Sequence, residues 1–207
     1  MSRKFSICIV LVLAALLCTS ANAVGLSNGN FNDPASGAWP TNWSGWNWSA
    51  GWANHENLPA VTYDGSYYVN VGNGWQNGGG GFNQTVPGIG ETDYTLSVLS
   101  GADAWWLPTG TMQMIWQNSL GAELGRAARN TVDPAVYGWT YDTAHPWANY
   151  VLTATAPVGT TQVKVEFMSN MPAGTGGAVW FENAVLTPEP ATLAILGLGG
   201  LLLRRKK

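Results

Sequence analysis

The stretch Gln162-Val163-Lys164-Val165-Glu166-Phe167-Met168 decides the fold of this chain. Its apolar residues Val163, Val165 and Phe167 share one face of an extended backbone, and the polar residues between them share the other. A period of two is typical of a β-strand that has one face on a core and one face in water. Such one-sided strands occur mainly in antiparallel sheets, so the stretch predicts an antiparallel sheet.

Similar short segments occur along the chain between turns rich in Gly, Pro and Asn. We predict nine strands, around Asn30-Phe31 and over residues 67–71, 81–86, 94–99, 112–117, 123–125, 150–156, 162–168 and 178–186. Residues 122–130 include helix-favouring Ala and Arg, but Gly121 and Gly125 interrupt them, so we interpret this segment as strand plus loop. The spacing of the strands predicts an all-β, antiparallel, jelly-roll-like β-sandwich.

Three segments resemble the jelly-roll domains of carbohydrate-binding modules with a galactose-binding-like fold. They are Asn-Gly-Asn-Phe at residues 28–31, Ala-Pro-Val-Gly-Thr-Thr at residues 156–161 before the Val-x-Val-x-Phe strand, and the segment 179–186. The resemblance implies one sandwich domain and carbohydrate recognition. Activity does not follow from the fold alone, because such folds carry many different sites.

Residues 1–23 have the parts of a secretory signal peptide. The parts are a positive n-region, an apolar h-region and an A-x-A cleavage site, formed by Arg3 and Lys4, by residues 5–17 and by Ala21-Asn22-Ala23. We expect a signal helix that signal peptidase removes, so that the mature chain begins at Val24. A lipoprotein signal would use Cys18, but Leu17 is too large for the small residue that such a site needs before the cysteine.

A second targeting segment covers residues 188–207. It has three parts in order: Pro188-Glu189-Pro190, an apolar run over residues 191–203, and Arg204-Arg205-Lys206-Lys207. As a short hydrophobic helix the run would reach roughly 20 Å, less than the roughly 30 Å hydrocarbon core of a bilayer. The four cations would stay on the cytoplasmic side. These properties favour a temporary stop in the inner membrane over a permanent span.

This order of parts resembles the PEP-CTERM sorting signal of Gram-negative bacteria. In that family an exosortase, a membrane-embedded cysteine peptidase, reads the tail and cuts near the motif. The resemblance implies a partner of that type, transient membrane association, and a final place at the cell surface or outside the cell. The plainer alternatives are a tail anchor and a buried C-terminal helix. We thus divide the chain into a signal peptide (1–23), a β-sandwich domain (24–187) and a sorting tail (188–207).

The expected mature domain is acidic and lacks cysteine. Residues 24–187 contain three basic and eleven acidic side chains, and both cysteines, Cys8 and Cys18, lie in the signal segment. An acidic surface repels phosphate backbones, which excludes nucleic acid as a partner. Without cysteine the domain has no disulfide, thiol nucleophile or thiolate metal site, so its core must stabilise it alone.

Tryptophans cluster near the start of this domain. Five occur between residues 39 and 52, in a context of Gly, Asn and Ser. In an extended backbone Trp46 and Trp48 face the same side and form a flat platform for a sugar ring, with Asn47 placed to bond hydroxyl groups. Trp105 and Trp106 are further candidates for the same rim. The alternative is a loop in which these indoles form a local core.

Catalytic patterns are few. No serine occurs in a Gly-x-Ser-x-Gly context, and His55 and His145 are far apart in the sequence. A glycoside hydrolase needs only two carboxylates that meet in space, and nothing in the sequence selects a pair. We therefore predict that the protein is not an enzyme, with a glycoside-active enzyme as the less favoured alternative.

A calcium ion is the one cofactor that the carbohydrate-binding-module resemblance implies. In such sandwiches an ion often joins the first and last strands, and Asn30, Asp33 and Glu182 match those segments here. Calcium prefers oxygen ligands such as these. The alternative reading places Glu182 on the solvent-facing side of its strand.

Two functions remain open at this point. The first is non-catalytic recognition of a matrix or envelope polysaccharide through Trp46 and Trp48, with Trp105 or Trp106 as a further contact. The second is a structural role in an extracellular matrix or biofilm without a defined small ligand.

Overall fold

The computed structural model describes residues 25–33, 39–47, 51–56, 67–73, 78–102, 108–132, 145–171 and 177–189. These residues form ten strands: β1 (Ser44–Asn47), β2 (Gly51–Glu56), β3 (Tyr68–Asn73), β4 (Gly78–Pro87), β5 (Asp93–Ala102), β6 (Thr109–Gln117), β7 (Glu123–Val132), β8 (His145–Thr155), β9 (Gln162–Met171) and β10 (Gly177–Pro188). Within this part of the chain no helix has the length and apolar character of a membrane span.

The strands form two five-stranded sheets. The first sheet has the order β1-β4-β9-β6-β7 and the second has the order β2-β3-β10-β5-β8. Every strand pair is antiparallel. The predicted antiparallel two-sheet sandwich is therefore confirmed. The signal helix and the C-terminal hydrophobic helix that we expected lie outside the described residues.

The core lies between the two sheets and follows the alternation in the sequence. Val163, Val165 and Phe167 of β9 are fully buried, as predicted. Phe82 of β4 lies at the centre of an aromatic cluster, with its ring centroid 5.2 Å from that of Phe167 and 5.7 Å from that of Phe181 of β10. Phenylalanine from both sheets thus meets in one apolar layer, and burial of these rings is a main source of stability.

Parts of the tryptophan-rich segment form strands β1 and β2, which are not among the nine predicted strands. Gly45 of β1 pairs with Phe82 of β4, and a Cβ at Gly45 would overlap the ring of Trp39. The absence of a side chain at Gly45 thus lets Trp39 stack on Phe82 at 6.4 Å. Trp43 is also a core residue. For Trp39 and Trp43 the local-core alternative is correct.

The predicted strand at Asn30-Phe31 is wrong, because residues 27–30 form a turn. Asn28 and Phe31 have positive φ angles of 51° and 57°. The side chain of Asn28 holds this geometry, since its Oδ1 accepts from the Asp33 amide at 3.1 Å and its Nδ2 donates to the Asp33 carbonyl. Asn tolerates left-handed backbone and bonds nearby main chain, which explains the turn.

Two further segments differ from the prediction. β7 runs unbroken from Glu123 to Val132, because pairing with β6 overrides the helix preference of its Ala and Arg residues. β4 begins at Gly78, three residues before the strand predicted over residues 81–86. The four glycines of residues 78–81 pair with the last four residues of β9, from Met171 back to Met168.

Close approach of β9 explains glycine at position 79. A Cβ at Gly79 would lie 2.1 Å from the carbonyl oxygen of Ser169 in β9. We therefore expect Gly79→Ala to destabilise the protein by about 1–3 kcal/mol, because the two strands must separate. Gly125→Ala is the matched control, since its Cβ would meet nothing closer than 3.6 Å. Equal urea midpoints for the two variants would contradict this account.

Candidate functional site

The outer face of the first sheet carries a connected group of polar and aromatic side chains. Trp46 pairs with Gly81, and its indole lies over that glycine, where a Cβ would come within 2.8 Å of the ring. The indole Nε1 donates to Oε1 of Glu166 at 3.1 Å. We call the region formed by Trp46, Gln113 and Glu166 over Gly79 and Gly81 the Trp46 face.

Glu166 is the centre of this group. Its Oε2 accepts a hydrogen bond from Nε2 of Gln113 on β6, and its Oε1 lies 3.1 Å from Nζ of Lys164. Only 6% of Glu166 and 3% of Gln113 is exposed. Our expectation that this side of β9 faces water is therefore wrong for Glu166. A buried carboxylate is stable only when it is paired and hydrogen-bonded, and these three donors meet that need.

A second ion pair lies further along the same face. Arg126 of β7 donates from Nε and Nη2 to the two carboxylate oxygens of Glu123, at 2.8 and 2.7 Å. These hydrogen bonds lower the pKa of Glu123 and raise that of Arg126. Both side chains are exposed, so water and salt screen the pair and its contribution to stability is small.

The Trp46 face has the chemistry of a binding surface. Trp46 is only half-buried, so part of this residue is accessible to a ligand. Gln113 and Glu166 have their orientations fixed by hydrogen bonds, and the absence of a side chain at Gly81 lets the Trp46 indole lie close to β4. A flat apolar ring beside a few fixed polar groups is the usual composition of a small-molecule site.

Of the residues that we predicted for the platform, Trp46 takes part in this face. Asn47 is half-buried and follows Trp46 in the strand, so its side chain leaves from the opposite side of β1. Trp48, Trp105 and Trp106 lie outside the described residues. The predicted platform thus has one member whose surroundings the structure describes.

The sequence did not indicate Gln113 or Glu166 as site residues. Their proximity depends on the β6–β9 register, which places Gln113 directly opposite Glu166. The one feature of the sequence that pointed to this site is the carboxylate of Glu166 on the polar side of β9, the most regular of the predicted strands.

The sequence also did not indicate an aromatic cluster on the second sheet. There the ring of Tyr68 lies 6.2 Å from Trp147 and from Trp180, and these two indoles are 6.0 Å apart. Tyr68 is buried and both tryptophans are half-buried. The two sheets thus carry different aromatic groups.

The predicted calcium ligands Asn30, Asp33 and Glu182 differ in burial, and they do not form a closed set of oxygen ligands. Glu182 is fully buried, so the solvent-facing reading is wrong. It lies at a bulge of β10, where the Ala184 amide donates to the Gly29 carbonyl at 2.8 Å. Asn30 and Asp33 are exposed. Among the described residues, no three acidic or histidine side chains form a metal cluster.

The beginning of the predicted sorting motif belongs to the sandwich. Pro188 is the last residue of β10 and pairs with Tyr94 of β5, and the Glu189 amide donates to the Asp93 carbonyl at 2.7 Å. Pro190, Arg204 and Arg205 lie outside the described residues.

Comparison with known proteins identifies this tail. The PEP-CTERM protein-sorting motif matches residues 186–207. The motif implies a protein that is exported and passes through a membrane. A comparison with curated protein sequences found no match.

Solved structures similar to this chain share its fold at low sequence identity. The enzymatically active domain of bacteriophage CBA120 tailspike protein 4 has 12% identity and a TM-score of 0.57, and the arabinose-bound α-L-arabinofuranosidase MgGH51 has 16% and 0.54. These matches cover 79% and 80% of this chain but only 21% and 26% of those chains. The chain thus spans about a fifth and a quarter of their lengths.

A third structure matches over almost its whole length. TmCBM61, solved in complex with β-1,4-galactotriose, has 14% identity and a TM-score of 0.50, and the match covers 79% of this chain and 97% of that one. At such identity the likeness shows the fold alone. The chain therefore carries a PEP-CTERM sorting motif that follows a β-sandwich with the fold of carbohydrate-binding modules.

Proposed function

We propose that this protein is sorted by an exosortase-type system to the cell surface or matrix and that its sandwich binds a polysaccharide at the Trp46 face without hydrolysing it. One observation carries the proposal: the Trp46 indole is held over Gly81 by a hydrogen bond to the buried carboxylate of Glu166. A ring fixed before binding loses little conformational entropy when a ligand stacks on it.

The chemistry of the face suits a neutral sugar. The C–H groups of a pyranose ring pack well on an aromatic ring such as the Trp46 indole, while the buried Gln113 and Glu166 hold that indole in place. The acidic balance of the domain opposes an anionic polysaccharide. The galactotriose bound to TmCBM61 demonstrates that a sandwich of this fold is able to hold such a ligand in that protein.

Among the described residues, the placement of the two carboxylates on the outer face of the first sheet favours binding over hydrolysis. Glycoside hydrolases need two carboxylates about 5 to 9.5 Å apart. Glu123 lies on the same face as Glu166 but two strands across and four residues along, so their Cα atoms are roughly 15 Å apart by strand geometry. Arg126 also holds Glu123 in a bidentate pair. We therefore do not assign these two carboxylates as a hydrolytic pair.

A glycan array probed with the full chain tests the proposal. We expect selective binding to neutral polysaccharides. We expect weaker binding for Gln113→Leu, because leucine has a similar side-chain volume but lacks the amide that holds the carboxylate of Glu166. Thr85→Ala is the control, because Thr85 is an exposed residue of β4 outside the Trp46 face. Wild-type protein that bound no glycan above background would contradict polysaccharide recognition and favour the purely structural matrix role.

The sorting part of the proposal concerns the two chain ends. Signal peptidase would cut after Ala23, and an exosortase-type peptidase would act near Pro188-Glu189-Pro190 while Arg204 and Arg205 hold the tail at the inner membrane. The mass of the native protein checks this. Protein recovered from the cytosol with Lys207 still present would contradict the sorting proposal.

We also propose a structural calcium ion beside Glu182, with oxygen atoms from Asn30 and Asp33 as further candidates. The support is the fully buried carboxylate of Glu182 next to the turn that contains Asn30. An ion bound only by the folded state raises the melting temperature. We expect a higher Tm in calcium than in chelator, and no such difference for Glu182→Gln. Equal wild-type melting temperatures would remove the site.

A further inference from the structure

One end of the sandwich brings together three turns and the beginning of the tail. The β4–β5 connection (residues 88–92), the β6–β7 turn (118–122) and the β8–β9 turn (156–161) lie there, because their strands are antiparallel neighbours. Glu189, the residue after β10, lies at the same end through its hydrogen bond to Asp93. We call this region the tail end.

Each turn of the tail end exposes one large aliphatic side chain. Ile89 is 55% exposed, Leu120 is 90% exposed and Val158 is 74% exposed. Single exposed apolar residues are ordinary on protein surfaces. Here three of them lie at one end of the sandwich, each in a different turn, so this end is the apolar candidate for a contact surface.

Hydrogen bonds between the turns hold these tips in place. The Gly88 amide donates to Thr161 at 2.8 Å, the Glu91 amide donates to Ala156 at 2.8 Å, and the Thr161 amide donates to Gln117 at 2.9 Å. Within the β6–β7 turn, Asn118 accepts from the amides of Leu120 and Ala122 through its side chain. The exposed tips are therefore fixed to the sandwich.

The tail leaves the sandwich at this surface. The apolar run of the sorting motif begins at Ala191, only two residues after Glu189. Two residues span at most about 7 Å, so the tail end lies close to any bilayer that the run enters. We propose that the tail end docks on that lipid surface, with Ile89, Leu120 and Val158 inserted among the headgroups.

The charges nearby indicate the lipid composition that this surface accepts. Glu91, Asp93 and Glu189 all lie at the tail end, and Asp93 and Glu91 are exposed. Carboxylates are repelled by anionic headgroups. The docked state is thus strongest on zwitterionic lipid and weaker as phosphatidylglycerol is added. The inference depends on membrane entry of residues 191–203 and is independent of glycan binding at the Trp46 face.

Depth-dependent quenching tests the docking. The full chain carries Cys8→Ser and Cys18→Ser, and one probe position, Leu120→Cys, is labelled with an environment-sensitive fluorophore. The protein is reconstituted into phosphatidylcholine vesicles that contain nitroxide-labelled lipid. The control is the same chain with Asn170→Cys, an exposed residue near the other end of β9. The hydrophobic segments at the two chain termini are identical in the two proteins. A difference in quenching therefore shows which end of the sandwich contacts lipid.

We expect quenching at least about twofold stronger at position 120 than at position 170, since inserted side chains lie at the depth of the headgroups. Adding Ile89→Ser and Val158→Ser is expected to reduce quenching at position 120 while the protein still floats with the vesicles. Equal quenching at the two positions, or no effect of the serine variants, overturns the proposal. Concentration-dependent shielding of position 120 without vesicles also overturns it and identifies an interface between two copies.

Discussion

Trp46→Ala is expected to weaken polysaccharide binding by at least about 30-fold, the effect of losing a hot-spot aromatic residue worth about 2 kcal/mol. The substitution removes the ring on which a sugar would stack. It also removes the Nε1 hydrogen bond that orients Glu166, so two parts of the Trp46 face are lost together. Isothermal titration calorimetry with the polysaccharide identified on the array measures the change.

Trp180→Ala is the matched control for this variant. Trp180 is also a half-buried strand tryptophan, but it lies on the outer face of the second sheet beside Tyr68 and Trp147. We expect its substitution to leave glycan affinity unchanged. Equal losses for Trp46→Ala and Trp180→Ala, or a loss explained fully by unfolding in a melting curve, would contradict the assignment of the site.

Phe82→Ala is expected to destabilise the protein by about 3–5 kcal/mol, the range for a large aromatic residue removed from a packed core. The ring of Phe82 is fully buried and lies within 5.7 Å of four others, those of Phe31, Trp43, Phe167 and Phe181. Residues 24–187 contain no cysteine and therefore no disulfide, so the packed core is the main source of stability. The cavity left by Phe82→Ala would weaken that core. Urea denaturation followed by tryptophan fluorescence measures the loss.

Val185→Ala serves as the comparison. Val185 lies in the last strand but is 53% exposed. Surface substitutions of this type usually change stability by less than about 0.5 kcal/mol. If Phe82→Ala unfolded at the same urea concentration as Val185→Ala, the aromatic cluster would not be the centre of the core.

The strands with strict alternation were predictable from the sequence. Tyr94, Leu96 and Val98 of β5 are buried in alternation, with the same period of two as the apolar residues of β9. In these strands the alternation of apolar and polar residues indicates which face is apolar. The two-sheet architecture then follows, because each apolar face needs another to cover it.

The tryptophan-rich strands were not predictable in the same way. β1 contains Ser, Gly, Trp and Asn, a composition typical of loops. It extends because Gly45 admits the ring of Trp39 on one side and Gly81 accepts the ring of Trp46 on the other. These contacts join residues distant in the sequence, and no local pattern contains them.

The candidate site was predictable only for its aromatic member. Trp46 was recognisable as a residue type that stacks on sugars. Glu166 appeared as one of several polar strand residues, and its burial arises from Lys164 together with Gln113 of a neighbouring strand. The contact between Gln113 and Glu166 depends on the pairing register of β6 and β9, which cannot be read from the sequence.

A titration followed by two-dimensional ¹H–¹⁵N NMR tests the central claim most directly. The indole N–H of each tryptophan and the side-chain amide of Gln113 give separate signals. On addition of an oligosaccharide of the bound glycan, we predict that the Trp46 indole and Gln113 amide signals shift in proportion to occupancy while the Trp180 indole signal stays in place. Shifts confined to Trp180 and its neighbours, with Trp46 and Gln113 unchanged at saturation, would contradict the account.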